Sequence, residues 1–208
     1  MDNFNFNKNA NLYIISAPSG AGKTSLVQSL CSYFDFIVPS ISYTTRKKRD
    51  SEVHGEDYFF ISEDEFVSKI KQNYFLEYQN VYGNYYGTSK TETSRILDEG
   101  NDVILEIDYK GMMQIKRSLP KALSIYILPP SIQSLRDRLR ARGQDDQDVV
   151  EKRMESSLNE LRYSKFADYV IVNDKFDDAQ KELFNLVLTL KINSVFNNQW
   201  IEKIRDNI

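Results

Sequence analysis

Ile14-Ile15-Ser16-Ala17-Pro18-Ser19-Gly20-Ala21-Gly22-Lys23-Thr24 carries an apolar strand straight into a glycine-bearing turn that closes on Gly-Lys-Thr. This is the layout of a phosphate-binding loop. Backbone N–H groups freed by the glycines point inward at phosphate oxygens, Lys23 supplies a mobile positive charge, and the Thr24 hydroxyl can reach a magnesium ion, all at a helix N-terminus. Ala17 stands where the general G-x-x-x-x-G-K-[ST] pattern has its first glycine. With Ala or Gly tolerated there, average composition yields a chance match in about one per hundred chains of this length. The flanks lower that further: residues 12–15 read as a buried strand, and Leu26, Val27, Leu30, Cys31 and Phe34 continue as an apolar helical stripe. The bland alternative is a structural turn rich in small residues.

Outward from the loop, the rest of the 208-residue chain is 41% hydrophobic and 27% charged, enough for one well-buried core with inserted segments. A net charge of −3 gives no general attraction to nucleic acid or to an anionic membrane, so neither partner is expected and any basic site has to be local. The single cysteine, Cys31, rules out an intramolecular disulfide and reads as core packing in a reducing compartment. The start, Asn3-Phe4-Asn5-Phe6-Asn7-Lys8-Asn9, lacks the basic and apolar character of a secretory signal, and no segment approaches the ~18 apolar residues that span a bilayer. A cytoplasmic location is the expectation.

Strand, loop, helix and a second short strand at 36–38 begin a parallel α/β sheet. From 41 to 91 the chain changes to interspersed tyrosine, glycine and charge, with β-like runs at 58–61 and 75–78 and one polar helix near 63–71, which reads as an inserted lobe. The sheet resumes at 102–108, at 122–128 before Pro129-Pro130, and at 169–172. A very charged helical segment, 132–163, carries Arg136, Arg138, Arg140, Arg142 and Arg153 and suits a lid or a solvated face. Beyond it, 177–208 reads as helix with Leu183, Val187 and Leu190 on one stripe and Trp200, Ile201 and Ile204 near the end; core packing is the default reading and a homodimer contact the minority one. The expected organisation is a tail over 1–10, a core from 11–40, 92–130 and 164–190, the lobe over 41–91, the lid over 131–163 and a C-terminal extension over 191–208.

A second signal is Ser42-Tyr43-Thr44-Thr45-Arg46-Lys47-Lys48-Arg49-Asp50-Ser51-Glu52, two arginines three residues apart without helical periodicity. Alone it is weak, since basic tetrads are usually solvated loops or nucleic-acid patches. Beyond it stand Glu77 and then Gly83-Asn84-Tyr85-Tyr86-Gly87-Thr88, read as an aromatic and glycine turn able to close over a small anion and a flat base.

Over roughly residues 10–190 these segments resemble the guanylate kinases, the bacterial cytosolic enzymes in particular, through "SAPSGAGKT", "SYTTRKKR", "GEDYFF", "GNYYGTS", "LEIDYKG", "ILPPS", "RLRARGQD" and "VIVND" in the family's order. The resemblance implies a P-loop NTPase three-layer α/β fold with a parallel central sheet, an inserted GMP-binding lobe and a helical lid. It implies Mg-dependent transfer of the ATP γ-phosphoryl group to GMP or dGMP. Lys23 and the loop residues Ala17, Pro18, Ser19, Gly20, Ala21, Gly22 and Thr24 would hold ATP, with Arg138 and Asn173 on the adenine side. Arg46, Arg49, Tyr58 and Tyr86 would hold the GMP phosphate, Ser42, Glu77 and Thr88 would read guanine, and Glu106, close to the Asp108 magnesium position, would count among the GMP-binding residues. Thr24 and, through water, Asp108 would position Mg2+, while Arg142 and Arg153 would reach the transferring phosphate from the lid.

Lys48 and Ser51 depart from the family's T-T-R-x-P-R-x-G-E, and Glu106 and Lys110 stand where many members have Asp and Gln. If position 51 requires a positive φ, the turn is strained or differently shaped. The lone histidine, His54, reads as a surface or turn-capping residue without a metal role. Two alternatives remain open on sequence: a non-catalytic protein-binding module of the same fold, against which Gly22-Lys23-Thr24 argues, and a P-loop kinase for thymidylate or adenylate, against which Glu77 with Ser42 and Thr88 argues.

Overall fold

In the computed structural model, residues 10–81, 83–141 and 147–205 are described, with side chains at 147–150, 152 and 193–205 outside the description. Strand β1 (Leu12–Ser16) is buried along its whole length, as a continuous apolar run in a parallel sheet demands. Leu12 and Ile14 face one apolar cluster and Tyr13 and Ile15 the other. On its two sides β1 pairs in parallel with β7 (Asp102–Glu106) and β8 (Leu123–Leu128). With β2 (Ile37–Pro39) and β9 (Tyr169–Val172) at the edges, the order is β2-β7-β1-β8-β9. Helices α1 (Lys23–Tyr33) and α7 (Phe176–Arg205) cover one face through Leu26, Leu30, Leu183 and Val187. Helices α3 (Lys90–Asp98) and α4 (Tyr109–Ser118) cover the other through Ile96, Leu97, Met112 and Ile115. This is the three-layer α/β P-loop architecture. Helices α3 and α4 were not anticipated from the sequence pattern.

The second sheet is built from β3 (Tyr43–Thr44), β4 (Phe59–Phe60), β5 (Phe75–Val81) and β6 (Asn84–Ser89), ordered β4-β3-β6-β5. Helix α2 (Glu63–Lys71), capped by Ser62 Oγ on the Glu65 N–H, inserts a fully buried Phe66 that stacks on Phe75 at 4.4 Å and Tyr85 at 5.2 Å. The expected aromatic turn over residues 83–88 is therefore corrected: residues 84–89 are a strand paired antiparallel with both β3 and β5. Gly87 lies in it because a Cβ there would meet Phe66 and Phe75 ring carbons at 3.0 Å, a packing reason and not a turning one.

The charged segment after β8 is two helices, α5 (Ile132–Ala141) and α6 (Gln147–Leu161), followed by a 3-10 turn at Arg162–Phe166. Leu135, Leu139 and Met154 bury against one another between them, and Arg136 bonds Glu151 at 2.7 Å. Helix α7 is fastened beyond residue 190: Lys191 Nζ lies 2.7 Å from Asp102 Oδ1, a carboxylate with no exposure that also accepts from the Asn11 N–H and the Tyr13 hydroxyl. The side chains of Trp200, Ile201 and Ile204 lie outside the described set. Among the described residues no helix is long and apolar enough to cross a membrane. Cys31 is half-buried against the core cluster, and burial pushes its thiol up to about 11. His54 is exposed and accepts the Phe60 N–H through Nδ1 at 3.2 Å.

Candidate active site

At the C-terminal ends of β1 and β7 the chain turns into α1 and α4, and the two turns face one cavity of about 480 Å³ with the second sheet as its far wall. The loop between β1 and α1 has Gly20 and Gly22 left-handed, at φ 90° and 92°. A Cβ on Gly22 would also collide with the Asn173 amide, which donates to the Ala21 carbonyl at 2.8 Å. Arg138 sits beside it, donating to Asn173 O at 2.9 Å and Ala21 O at 3.5 Å. Asn173 and Arg138 thus brace the outside of the loop.

Inside, Lys23 Nζ donates to the Ile107 carbonyl at 2.9 Å. Desolvation lowers its ammonium below the ordinary lysine value, opposed by the Glu106, Asp108, Glu160 and Glu77 carboxylates. Thr24 Oγ1 is 2.5 Å from Glu106 Oε1. Since the Thr24 hydroxyl donates to the carboxylate, both of its oxygen lone pairs remain available to a cation. Asp108 caps α4 by accepting the Gly111 N–H at 2.8 Å. From α6, Arg153 donates to Ser19 Oγ at 3.1 Å and Ser157 to the Ser19 carbonyl at 3.4 Å. Glu160 on the same helix is pushed up by burial, opposed by the Ser156 hydroxyl that donates to its Oε1 at 3.1 Å.

Across the cavity Glu77 is 5% exposed, and Thr88 donates to its Oε1 at 2.7 Å. Burial drives its carboxyl up to about 7, with the Asp108 charge adding to the rise and Thr88 opposing it. Ser42, Tyr58 and Tyr86 line the same wall, the two tyrosine rings 6.0 Å apart. Arg46 lies over Tyr58 at 5.5 Å and meets Glu52 as a two-pronged pair at 2.6 and 3.1 Å. That pairing, with the Arg49 N–H, holds the Glu52 carboxyl at about 2. Arg49 points outward, its side chain 75% exposed and 3.9 Å from Glu52. Lys48 Nζ donates to the Glu52 carbonyl at 2.9 Å, tying the turn where Pro was expected. Among the described residues the one non-glycine with positive φ is Asn73, so Ser51 carries no left-handed strain.

A family model described as guanylate kinase matches residues 9–189. The chain belongs to the guanylate kinase family. Curated guanylate kinases from Hydrogenovibrio crunogenus and Methylococcus capsulatus are 50% and 47% identical to it, over 85% and 87% of this chain and 86% and 89% of theirs. A crystal structure of guanylate kinase from Anaplasma phagocytophilum superposes with a TM-score of 0.73 at 25% identity, covering 90% of this chain and 89% of that one.

Of the residues the sequence nominated, Ser19, Lys23, Ser42, Tyr58, Glu77, Tyr86, Glu106, Asp108 and Arg153 line one cavity, and Thr88 joins it through Glu77. Arg49 is turned away from it, and Arg142 lies outside the described residues. Glu106 accepts from Thr24 in this arrangement while lining the same cavity as Glu77 and Ser42. Sequence reasoning passed over Glu52, Gln79 and Glu160; only the third-residue spacing of Arg49 and Glu52 offered a local hint.

Proposed function

We infer that this cavity holds both substrates of the reaction that family membership assigns to the chain: it is an ATP:GMP phosphotransferase, giving ADP and GDP. The observation that carries the acceptor assignment is Glu77, a buried carboxylate facing the same space as Lys23. Guanine offers N1–H and N2–H₂ along one edge, which a carboxylate accepts together, while its O6 accepts from hydroxyls such as Ser42. Adenine presents a bare N1 and would leave Glu77 unpaired, and sites of that kind reject a mismatched base by roughly 10⁴.

The GMP phosphate is mostly dianionic at neutral pH, with a second pKa near ~6, so no general base is required. Repulsion is the obstacle: at ~4 Å each pair of unit charges costs about 1 kcal/mol in water and about 4 at an effective dielectric of ~20. Lys23 and the loop amides neutralise the donor phosphates, and Arg46 the acceptor. Arg49 reaches it after rotating inward, and Arg142 and Arg153 serve the transferring group, for which a planar guanidinium fork is suited. Catalysis is then chiefly positioning and electrostatic stabilisation. Tyr58 and Tyr86 orient the acceptor phosphate, and Arg138 with Asn173 borders the adenine.

Mg2+ fits the residues present: Thr24 has its lone pairs free, and Glu106 and Asp108 are hard oxygen donors able to hold its water shell. When bound it would supply positive charge against the phosphates of ATP. Residues 41–91 and 131–163 close as lobe and lid, which keeps water from taking the phosphoryl group. The single unpaired cysteine supports a cytoplasmic location.

An ADP-release assay with ATP and GMP, AMP, UMP or dTMP tests the assignment. Turnover with GMP far above the others is expected. Preference for another monophosphate would remove guanine, and activity with none would favour a protein-binding role.

A further inference from the structure

Gly111 sits in the first turn of α4, buried, with its N–H on the Asp108 cap. Its backbone is not in the left-handed region, so the missing side chain answers no conformational demand, and glycine inside a helix is disfavoured relative to alanine. Space accounts for it. A Cβ at Gly111 would lie 2.7 Å from Glu77 Oε2 and 3.2 Å from both Glu77 Cδ and Ile107 Cδ1.

Glu77 has nowhere to retreat. Its Oε1 holds the Thr88 hydroxyl at 2.7 Å. The next residue is pinned by the same helix: Gln114 accepts the Tyr78 N–H and donates to the Tyr78 carbonyl, both at 3.3 Å. Helix α4 is therefore a wall against which β5 is fastened, and Gly111 is the notch in that wall opposite the carboxylate.

We propose that Gly111 is a positioning residue for base recognition: its missing Cβ lets the Glu77 carboxylate sit at the depth where both oxygens are presented to the N1–H and 2-amino edge of guanine. The inference rests on Glu77 being the guanine reader. An added methyl group displaces that carboxylate by several tenths of an ångström, and misplacement of a recognition group on this scale weakens binding by about tenfold or more.

The test is a double-mutant cycle of Gly111→Ala and Glu77→Ala, with KM measured for GMP and ATP and thermal midpoints recorded for each variant. Gly111→Ala is expected to raise the GMP KM at least about tenfold, leave the ATP KM within about twofold, and erode the preference for GMP over IMP, which lacks the 2-amino group. In the Glu77→Ala background the same substitution is expected to be silent. An unchanged GMP KM, or an equal rise in both backgrounds, overturns the proposal. Should Gly111→Ala fail to fold while the double variant folds, the clash with Glu77 is upheld; failure of both assigns the site to Ile107 packing and overturns it. Wild-type GMP binding by Glu77→Ala alone is a separate result, which sinks the guanine reading of Glu77 and this proposal with it.

Discussion

Replacing Glu77 by glutamine should stabilise the ligand-free protein while crippling its use of GMP. The carboxyl titrates at about 7 in the fold against a usual 4.5, chiefly because burial disfavours its charge. Between those two values a rising pH strips the proton from the unfolded chain while the folded one keeps it. Stability therefore falls across that window and is level above it. At pH 8.5 the ionised side chain costs the fold about 3 kcal/mol, and at pH 5 less than about 1. Glutamine keeps the shape and the Thr88 bond without the charge. For a chain of this size the variant should melt about 6–10 °C above wild type at pH 8.5 and within about 3 °C of it at pH 5. Thermal unfolding of ligand-free protein at the two pH values reads this directly. The same variant should lose at least about 100-fold in kcat/KM for GMP, since two hydrogen bonds to a charged acceptor are impaired, with the ATP KM nearly unchanged. A stability difference identical at both pH values, or a glutamine variant less stable at pH 8.5, would refute the argument that guanine recognition is held against a desolvation penalty.

Glu106→Gln should raise the Mg2+ concentration needed for half-maximal activity about tenfold while leaving the GMP KM within about twofold, because its partner is Thr24; the reverse split would return Glu106 to the acceptor site. Arg46→Lys keeps the charge but not the fork that meets Glu52, and a rise of about tenfold in GMP KM with ATP unaffected is expected from steady-state kinetics. Arg153→Ala should lower kcat about 100-fold with little change in GMP affinity, measured by titration calorimetry, and unchanged turnover would reduce it to a surface contact. Lys191→Met leaves the fully buried Asp102 without its cation, so denaturant unfolding should show a loss of about 3 kcal/mol with activity at 25 °C preserved.

The P-loop was legible because its chemistry confines seven or eight contiguous residues, and the flanking strand and stripe agreed with it. The residues proposed for the acceptor side could be picked out only through family resemblance, since Glu77 and Thr88 are brought opposite each other by the pairing of β5 with β6 and Ser42 lies just ahead of β3. The misread turn at 83–88 has a physical cause. Gly83, at φ 82°, does bend the chain, but Gly87 is there to admit two rings, and composition alone cannot tell the two uses apart. Helix α4 was missed because Gly111 weakens its local propensity, and the reason for that glycine lies 34 positions away in sequence at Glu77. The Thr24–Glu106 bond was hidden for the same reason, its partners being 82 positions apart. Glu52 was hidden by its ordinariness, a carboxylate in a charged loop.

The bond between Lys191 and Asp102 bears on where this polypeptide can be cut. The family match ends at residue 189, so a boundary drawn from similarity would stop two residues short of the lysine. The stump would retain every residue of the nucleotide cavity and yet enclose an acid at the foot of β7, beside β1, with no cation to answer it. Such a product would carry an intact site on a weakened sheet, and its failure at elevated temperature could be mistaken for a catalytic defect.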